Sequence, residues 1–293
     1  MNFATLETRL QSQKIPLAIC LPEDPETVLA AREATDLGYV DCLFVGREAP
    51  MRELLHRVTP GFTPRLVPVQ SEEEAAARAV ELVRTGAARA LMKGSVSTPV
   101  LLKAILHKET GIRQGNVLSH VLVYEWQGSF RLLTDGGMIP HPTLEEKHDI
   151  LVNAVGFARR LGIARPKVAV LSAVETVSFK MPSSVDAAVL ARMGERGQFK
   201  DCLVDGPLAL DNAVCEESAH HKGLHGEVPG HADILVVPDI DTGNVLGKSI
   251  LYFGGLPAGG VVLGATVPVI MLSRSDDRQT RLNSIKLGLA GWG

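Results

Sequence analysis

Short apolar runs alternate with amphipathic stretches along the whole chain. Ile15–Leu21, Val40–Val45, Arg65–Val69, Ala88–Met92, Val117–Tyr124, Phe130–Leu133, Lys167–Leu171, Asp201–Val204, Ile234–Val237 and Val267–Leu272 are strand candidates. Nearly all are continuously apolar rather than alternating, which predicts strands covered on both faces. The stretches between them repeat at helical spacing. Ser71 followed by Glu74 makes a capping box, with Ala75, Ala76, Ala79, Val80 and Val83 as the apolar face and Gly86 as the stop. Thr143 with Glu146 repeats the device, with Ile150, Leu151, Ala154, Val155, Ala158 and Leu161 behind it and Gly162 closing the helix. Strand–helix alternation of this kind predicts an α/β fold with mostly parallel sheets.

Composition narrows the picture. Hydrophobic residues make up 45% of the 293 positions but aromatics only 4%, so aliphatic side chains fill the core. A net charge of −3 with no basic run argues against a nucleic-acid partner. The longest apolar stretch, Gly259–Leu272, is short and interrupted by Gly and Pro, so no membrane span is expected. Met1–Gln13 lacks an apolar signal region, and a cytoplasmic protein is expected. Cys20, Cys42, Cys202 and Cys215 show no CxxC spacing; the first three lie in apolar runs and read as small core hydrophobes. Cys215 is expected on a helix.

In an open α/β sheet, ligands bind beyond the carboxyl ends of strands. The residues following each strand are Lys93-Gly94-Ser95-Val96-Ser97-Thr98, Asp205-Gly206-Pro207, Pro238-Asp239-Ile240-Asp241-Thr242-Gly243-Asn244 with Lys248 one turn on, and Ser273-Arg274-Ser275-Asp276-Asp277. Hydroxyls, glycine-exposed amides and scattered cations at helix starts suit an anionic, phosphate-bearing ligand. No G-x-G-x-x-G follows the first strand, so a dehydrogenase-type nucleotide loop has no support. His220, His221, His225 and His231 lie in a Gly-rich segment without a Cys or helical carboxylate partner and read as a solvated loop, not a metal site. His120 sits inside an apolar strand, which a core histidine would also do.

The segments LMKGSVSTPVLLKAIL, LSHV, DGGMIPHPTLEEKHDILVNAV, DGPLALDNA, HHKGLHGEVPGHADILVVPDIDTGNVLGKSI and VPVIMLSRSDDRQTRLNSIKLGLA, in this order, resemble the phosphate acetyltransferase and phosphate butyryltransferase family, closer to the butyryltransferase branch. The resemblance implies a two-lobed α/β/α fold like that of isocitrate and isopropylmalate dehydrogenases, with an active-site cleft between the lobes. The first lobe is expected over residues 1–137 plus 268–293, and an inserted second lobe over 138–267, with the boundary in the turn-rich Asp135–Pro142. It implies reversible transfer of a short acyl group between coenzyme A and inorganic phosphate, by direct attack in a ternary complex. Acyl-CoA and phosphate are the expected partners, no cofactor or metal is expected, and the chain is expected as a homodimer or larger homo-oligomer.

Residue by residue, Ser273 and Arg274 match the family's catalytic pair. Lys93, Ser119, His120, Lys222, Gly230, Gly243, Asn244 and Lys248 fall in matching segments and are expected to bind substrate. Where the acetyltransferase branch has an aspartate, this chain has Thr280, so Asp276 is taken as the catalytic carboxylate, with Asp277 as an alternative or as a helix cap. The tyrosine familiar before the lysine is Gly247 here, which bears on acyl or pantetheine contacts. The alternatives are a non-catalytic acyl-CoA or phosphate-binding module, a decarboxylating dehydrogenase of the same fold, and acyl transfer from acyl carrier protein.

Overall fold

The computed structural model describes residues 1–11, 13–115, 117–272 and 276–290. In chain order the elements are α1 (Phe3–Leu10), β1 (Ile15–Cys20), α2 (Pro25–Asp36), β2 (Val40–Gly46), α3 (Glu48–Val58), β3 (Arg65–Pro68), α4 (Glu72–Arg84), β4 (Ala90–Lys93) and α5 (Thr98–Ile105). There follow β5 (Ser119–Trp126), β6 (Ser129–Thr134), α6 (Leu144–Arg160), β7 (Lys167–Leu171), α7 (Pro182–Glu195), β8 (Leu203–Leu208), α8 (Leu210–Val214), α9 (Glu216–His221) and β9 (Ile234–Val236). Last come α10 (Ile240–Tyr252), β10 (Ala258–Leu263), β11 (Val269–Met271) and α11 (Arg278–Ala290).

The α/β alternation is as the sequence predicts. Of the two expected capping boxes, the one at Thr143 forms in full and the one at Ser71 only in half. The Thr143 hydroxyl accepts from Glu146 N–H at 3.2 Å and the Glu146 carboxylate accepts from Thr143 N–H at 2.8 Å. Ser71 caps α4 through Glu74 N–H at 3.1 Å, while the Glu74 carboxylate takes the N–H of Gln70. The apolar faces behind these caps are buried throughout.

The chain divides into two compact units: Phe3–Gly115 with Gly259–Gly293, and Met1–Asn2 with Asn116–Ala258. In the first, the strand order is β3-β2-β1-β4-β11-β10, parallel except for β10 against β11. In the second it is β5-β6-β9-β7-β8, parallel except for the β5–β6 hairpin. The expected boundaries at residues 137/138 and 267/268 are therefore displaced. The β5–β6 hairpin belongs with the second unit because β6 pairs in register with β9, Leu132 opposite Ile234 and Thr134 opposite Val236. The long apolar stretch Gly259–Leu272 is not one strand but the greater part of two, β10 and β11, antiparallel with Val262 opposite Val269. Asp205-Gly206-Pro207 lies inside β8 rather than beyond it. Proline is tolerated there because β8 is an edge strand with no partner on its far side.

Candidate active site

In the first unit, β2 and β3 lie to one side of β1, and the chain then crosses to place β4 on the other. The carboxyl ends of β1 and β4 thus flank a topological switch point, the position where open α/β sheets bind ligands. Lys93 ends β4, opposite Cys20 of β1 and Met271 of β11. Gly94 follows, its N–H bonded to Cys20 O at 2.9 Å. A Cβ on Gly94 would sit 2.2 Å from Leu21 O, so only glycine permits the two strand ends to approach this closely. Ser95 ties down the same turn, its N–H and hydroxyl both donating to Leu21 O at 2.7 and 3.0 Å.

Ser97 is the N-cap of α5 and makes no side-chain cap bond; its own N–H donates to the Glu72 carboxylate. That bond holds Glu72 below the ordinary carboxylate range and straps the start of α4 to the start of α5. Glu72 was absent from the expected site because an acidic residue in a first helical turn has an ordinary explanation in the helix dipole.

Ser273 and Arg274 lie outside the described residues, as does Ser275. Beyond them Asp277 is the N-cap of α11. Its carboxylate accepts the N–H of Thr280 at 2.7 Å, and this bond holds its pKa below the ordinary value. Asp276 precedes it and is half-buried. A capping carboxylate of this kind contributes stability above its unfolded-state pKa and loses it as pH falls through the lower folded-state value. Asp277→Ala is expected to lower stability by about 1 kcal/mol and leave turnover nearly intact, checked by denaturant melts alongside an initial-rate assay. A large loss of turnover with unchanged stability would instead make Asp277 the catalytic carboxylate.

In the second unit the carboxyl end of β6 runs into Asp135-Gly136-Gly137, and antiparallel β5 begins beside it. Asp135 is only 2% exposed. Its Oδ1 accepts the N–H groups of Gly137, Met138 and His120 at 2.9, 3.0 and 3.1 Å, and its Oδ2 accepts that of Ile139 at 3.1 Å. Burial pushes this carboxyl above its ordinary value, against the pull of the Gly137 amide and His120. Asp135 therefore organises the turn and fixes the start of β5. The sequence shows it as one more residue after a strand, with nothing to mark it as a hub.

The amino end of α10 packs against this turn, backbone to backbone. A Cβ on Gly243 would meet Asp135 O and Gly136 Cα at 2.7 Å each, which explains the glycine at that helical position. Asn244 follows, exposed, its side-chain amide 3.5 Å from Gly136 O. Lys248 is exposed too, but it is the ninth residue of α10, so it lies a further turn from the helix start than expected. The first turn of α10 is less open to an anion than its sequence suggests, because Asp239 already accepts from Thr242 N–H at 2.8 Å and Asp241 adds a second charge. Gly247 is buried and faces the sheet: a Cβ added there would lie 3.3 and 3.6 Å from Leu122 and Leu133 Cδ2.

The remaining expected residues part company. His120 is half-buried beside Gly137, in the Asp135 turn. Ser119 is fully buried and its hydroxyl accepts from Asn153 Nδ2 at 3.0 Å, a packing role under β5. Lys222 pairs with Glu175, just beyond the carboxyl end of β7, at 3.1 Å. Gly230 is elsewhere. It precedes β9, its N–H bonds Asn212 O at 2.7 Å, and an added Cβ would lie 2.6 Å from Glu216 Cα. It therefore belongs to the amino ends of the strands, not the carboxyl ends.

The cysteines sort partly as expected. Cys20 and Cys42 are buried, and burial pushes both thiols up to about 12. Cys202 is half-exposed rather than a core residue. Cys215 stands in the break between α8 and α9 with extended backbone, not on a helix. The Ser218 hydroxyl and the Ser218 and Glu217 amides hold its thiol below the ordinary value. It neighbours Gly230 and so lies apart from Asp135 and Asn244. Among the described residues, no three of His, Cys, Asp and Glu come together as a metal site, and no helix is long and apolar enough to cross a membrane.

Comparison with known proteins places this geometry. The chain is 43% identical over 290 residues to a phosphate butyryltransferase of Clostridium acetobutylicum, covering 98% of this chain and 96% of that protein. A crystal structure of a branched-chain phosphotransacylase from Enterococcus faecalis V583 superposes with TM-score 0.83 at 35% identity, over 94% of this chain and 98% of that one. A 4-hydroxythreonine-4-phosphate dehydrogenase structure from Klebsiella pneumoniae, at TM-score 0.51 and 15% identity over 95% and 100% of the two chains, shares the fold alone. The family described as "Phosphate acetyl/butaryl transferase" matches residues 51–288. With a match across most of its length, and with relatives of that name over nearly all of it, the chain belongs to the phosphate acetyl/butyryl transferase family.

Proposed function

We propose that the chain is a phosphate acyltransferase that moves a short acyl group, acetyl to butyryl, reversibly between coenzyme A and inorganic phosphate. Membership of the family, with 43% identity to a phosphate butyryltransferase over nearly the whole chain, is the observation that carries it. Two features of the structure support an anion-handling site at the carboxyl ends of the strands. Lys93 stands at the β1–β4 switch point, beside the start of α5, where the Glu72 carboxylate already holds the Ser97 N–H. Asn244 stands beside the turn that Asp135 organises.

The reaction is direct transfer in a ternary complex, with no acyl-enzyme. Phosphate must be held against the thioester carbonyl, and charge building on the carbonyl oxygen and the leaving sulfur must be stabilised. Arg274 takes the phosphoryl oxygens in bidentate fashion, and Ser273 donates its hydroxyl to the carbonyl. In the reverse direction a coenzyme A thiol, with a free pKa of about 8.5, must lose its proton before attack. Asp276 is the proton acceptor in this scheme, since Asp277 is engaged as the cap of α11. Lys93, His120, Lys222, Asn244 and Lys248 contribute to substrate binding; Ser119 and Gly243 act by positioning. The protein works in the cytoplasm as a homo-oligomer.

The deciding assay measures coenzyme A release from acetyl-, propionyl- and butyryl-CoA with and without phosphate. Release should require phosphate and should survive exhaustive chelation of divalent metal. Turnover that stops on chelation and returns with a metal would sink the metal-free scheme. Binding of acyl-CoA without phosphate-dependent release would leave a binding module.

A further inference from the structure

Two helices of the first unit follow strands whose carboxyl ends meet near the switch point. α2 follows β1, and α11 follows β11, whose last residue lies opposite Lys93. Where these helices face each other runs a groove of about 610 Å3, lined on its apolar side by Leu29, Leu37 and Leu282. Packing leaves it open, with Leu29 45% and Leu37 41% exposed.

Ion pairs bridge the groove at two points. Arg278 opens α11 and grips both carboxylate oxygens of Glu33, through Nε at 2.8 Å and Nη2 at 2.9 Å. Arg281 is buried and pairs with Glu26, in the first turn of α2. Seven residues separate the two attachments on α2, roughly 10 Å of helix, and three separate them on α11. Two points that far apart fix the rotation of α11 as well as its distance from α2. Exposed ion pairs contribute little to stability; what a bidentate one fixes is orientation.

That orientation bears on Asp276, which stands two residues before Arg278. The cap at Asp277 cannot supply it. Its carboxylate bonds Thr280 N–H of the same helix and ties α11 to nothing outside.

We propose that Arg278 and Arg281 are positioning residues for the transfer reaction. By clamping the start of α11 to α2, they set where the Asp276 carboxylate stands. The proposal rests on the acyltransferase reading above, with Asp276 as proton acceptor. Both arginines act through Asp276 rather than on substrate.

The test follows acyl-CoA formation from butyryl phosphate and coenzyme A against pH, in wild type, Arg278→Gln and Arg281→Gln. In this direction the acceptor is needed only while the thiol is protonated, below its free pKa of about 8.5. There both variants should lose about ten- to hundredfold in kcat, the scale of a misplaced group, with KM for both substrates within about twofold. The deficit should shrink as pH rises past about 8.5, because thiolate then forms without help. A merely structural role would lower the rate equally at every pH. Exchanging one pair, Glu33→Arg with Arg278→Glu, keeps the tie and suits both helix dipoles, so most of the rate should return. Arg278 is exposed, so Arg278→Gln keeps the test sound should Arg281→Gln unfold. Wild-type kcat in both variants, a deficit independent of pH, a loss confined to KM, or no recovery on exchange would each overturn the proposal. A wild-type chain that makes no acyl-CoA would overturn the acyltransferase reading itself, and this proposal with it, before any variant is compared.

Discussion

Arg274→Ala should lose about 3 to 5 kcal/mol of transition-state stabilisation, the scale seen when a preorganised charge stabiliser is removed. The expectation rests on three things. The guanidinium stays charged at any working pH and grips phosphate with two parallel donors. The residue follows β11 by three positions in the sequence, and β11 ends with Met271 opposite Lys93. It also occupies the family's catalytic arginine position. Arg274→Lys keeps the charge but not the fork and should remain severely impaired. Ser273→Ala should cost less, because a water can replace part of what a hydroxyl donates. The measurement is kcat/KM for phosphate in the acyl-CoA direction, with denaturant melts to confirm folding. Near-normal turnover in Arg274→Ala would refute the assignment and favour a non-catalytic acyl-CoA or phosphate-binding protein.

Much of the fold was legible because its strands are read by burial. Continuous apolar runs such as Ile15–Leu21 and Lys167–Leu171 lie within a residue of the observed strands, Ile15–Cys20 and Lys167–Leu171. Helix starts were legible where a side chain does the capping, as at Ser71 and Thr143. What pattern could not reveal was pairing. Nothing in the composition of Ser129–Thr134 says that it hydrogen-bonds Ile234–Val236, a partner a hundred residues away, yet that pairing decides which unit the β5–β6 hairpin joins. Nor could a run of glycine, valine and leucine reveal that the segment from Ala258 to Met271 folds back on itself.

The site was legible by resemblance more than by physics, and unevenly. Lys93 and Asn244 lie at carboxyl ends, as the strand-end rule expects. Gly230, from an equally matching segment, lies at amino ends, because the loop that carries it returns to the bottom of the sheet before β9. Ser119 turned inward, since it is the first residue of a strand whose register is set by Val121 opposite Thr134. Matching segments mark positions that matter without saying whether they matter to substrate or to packing. Only the bonding partners separate the two.

Asp135 is the clearest residue of the second kind, and Asp135→Ala should destabilise the second unit by about 3 to 5 kcal/mol. The substitution takes the acceptor from four part-buried N–H groups at once, those of His120, Gly137, Met138 and Ile139. Each would cost roughly 1 to 3 kcal/mol if it found no new partner, and water entry recovers part of the sum. Asp135→Asn keeps the shape and one acceptor oxygen but turns an amide NH2 toward either Ile139 N–H or the three N–H groups on Oδ1. It should fall between the wild type and Asp135→Ala. Because the turn also seats Gly243 and Asn244, turnover should fall along with stability. A global melt would blur two units together, so the sharper readout is amide hydrogen exchange. Protection at Gly137, Met138 and Ile139 should collapse in Asp135→Ala, while the amides of β1 and β4 in the other unit keep theirs. Unchanged protection at those three amides would mean that the turn holds without its carboxylate, and that the buried charge serves the reaction instead.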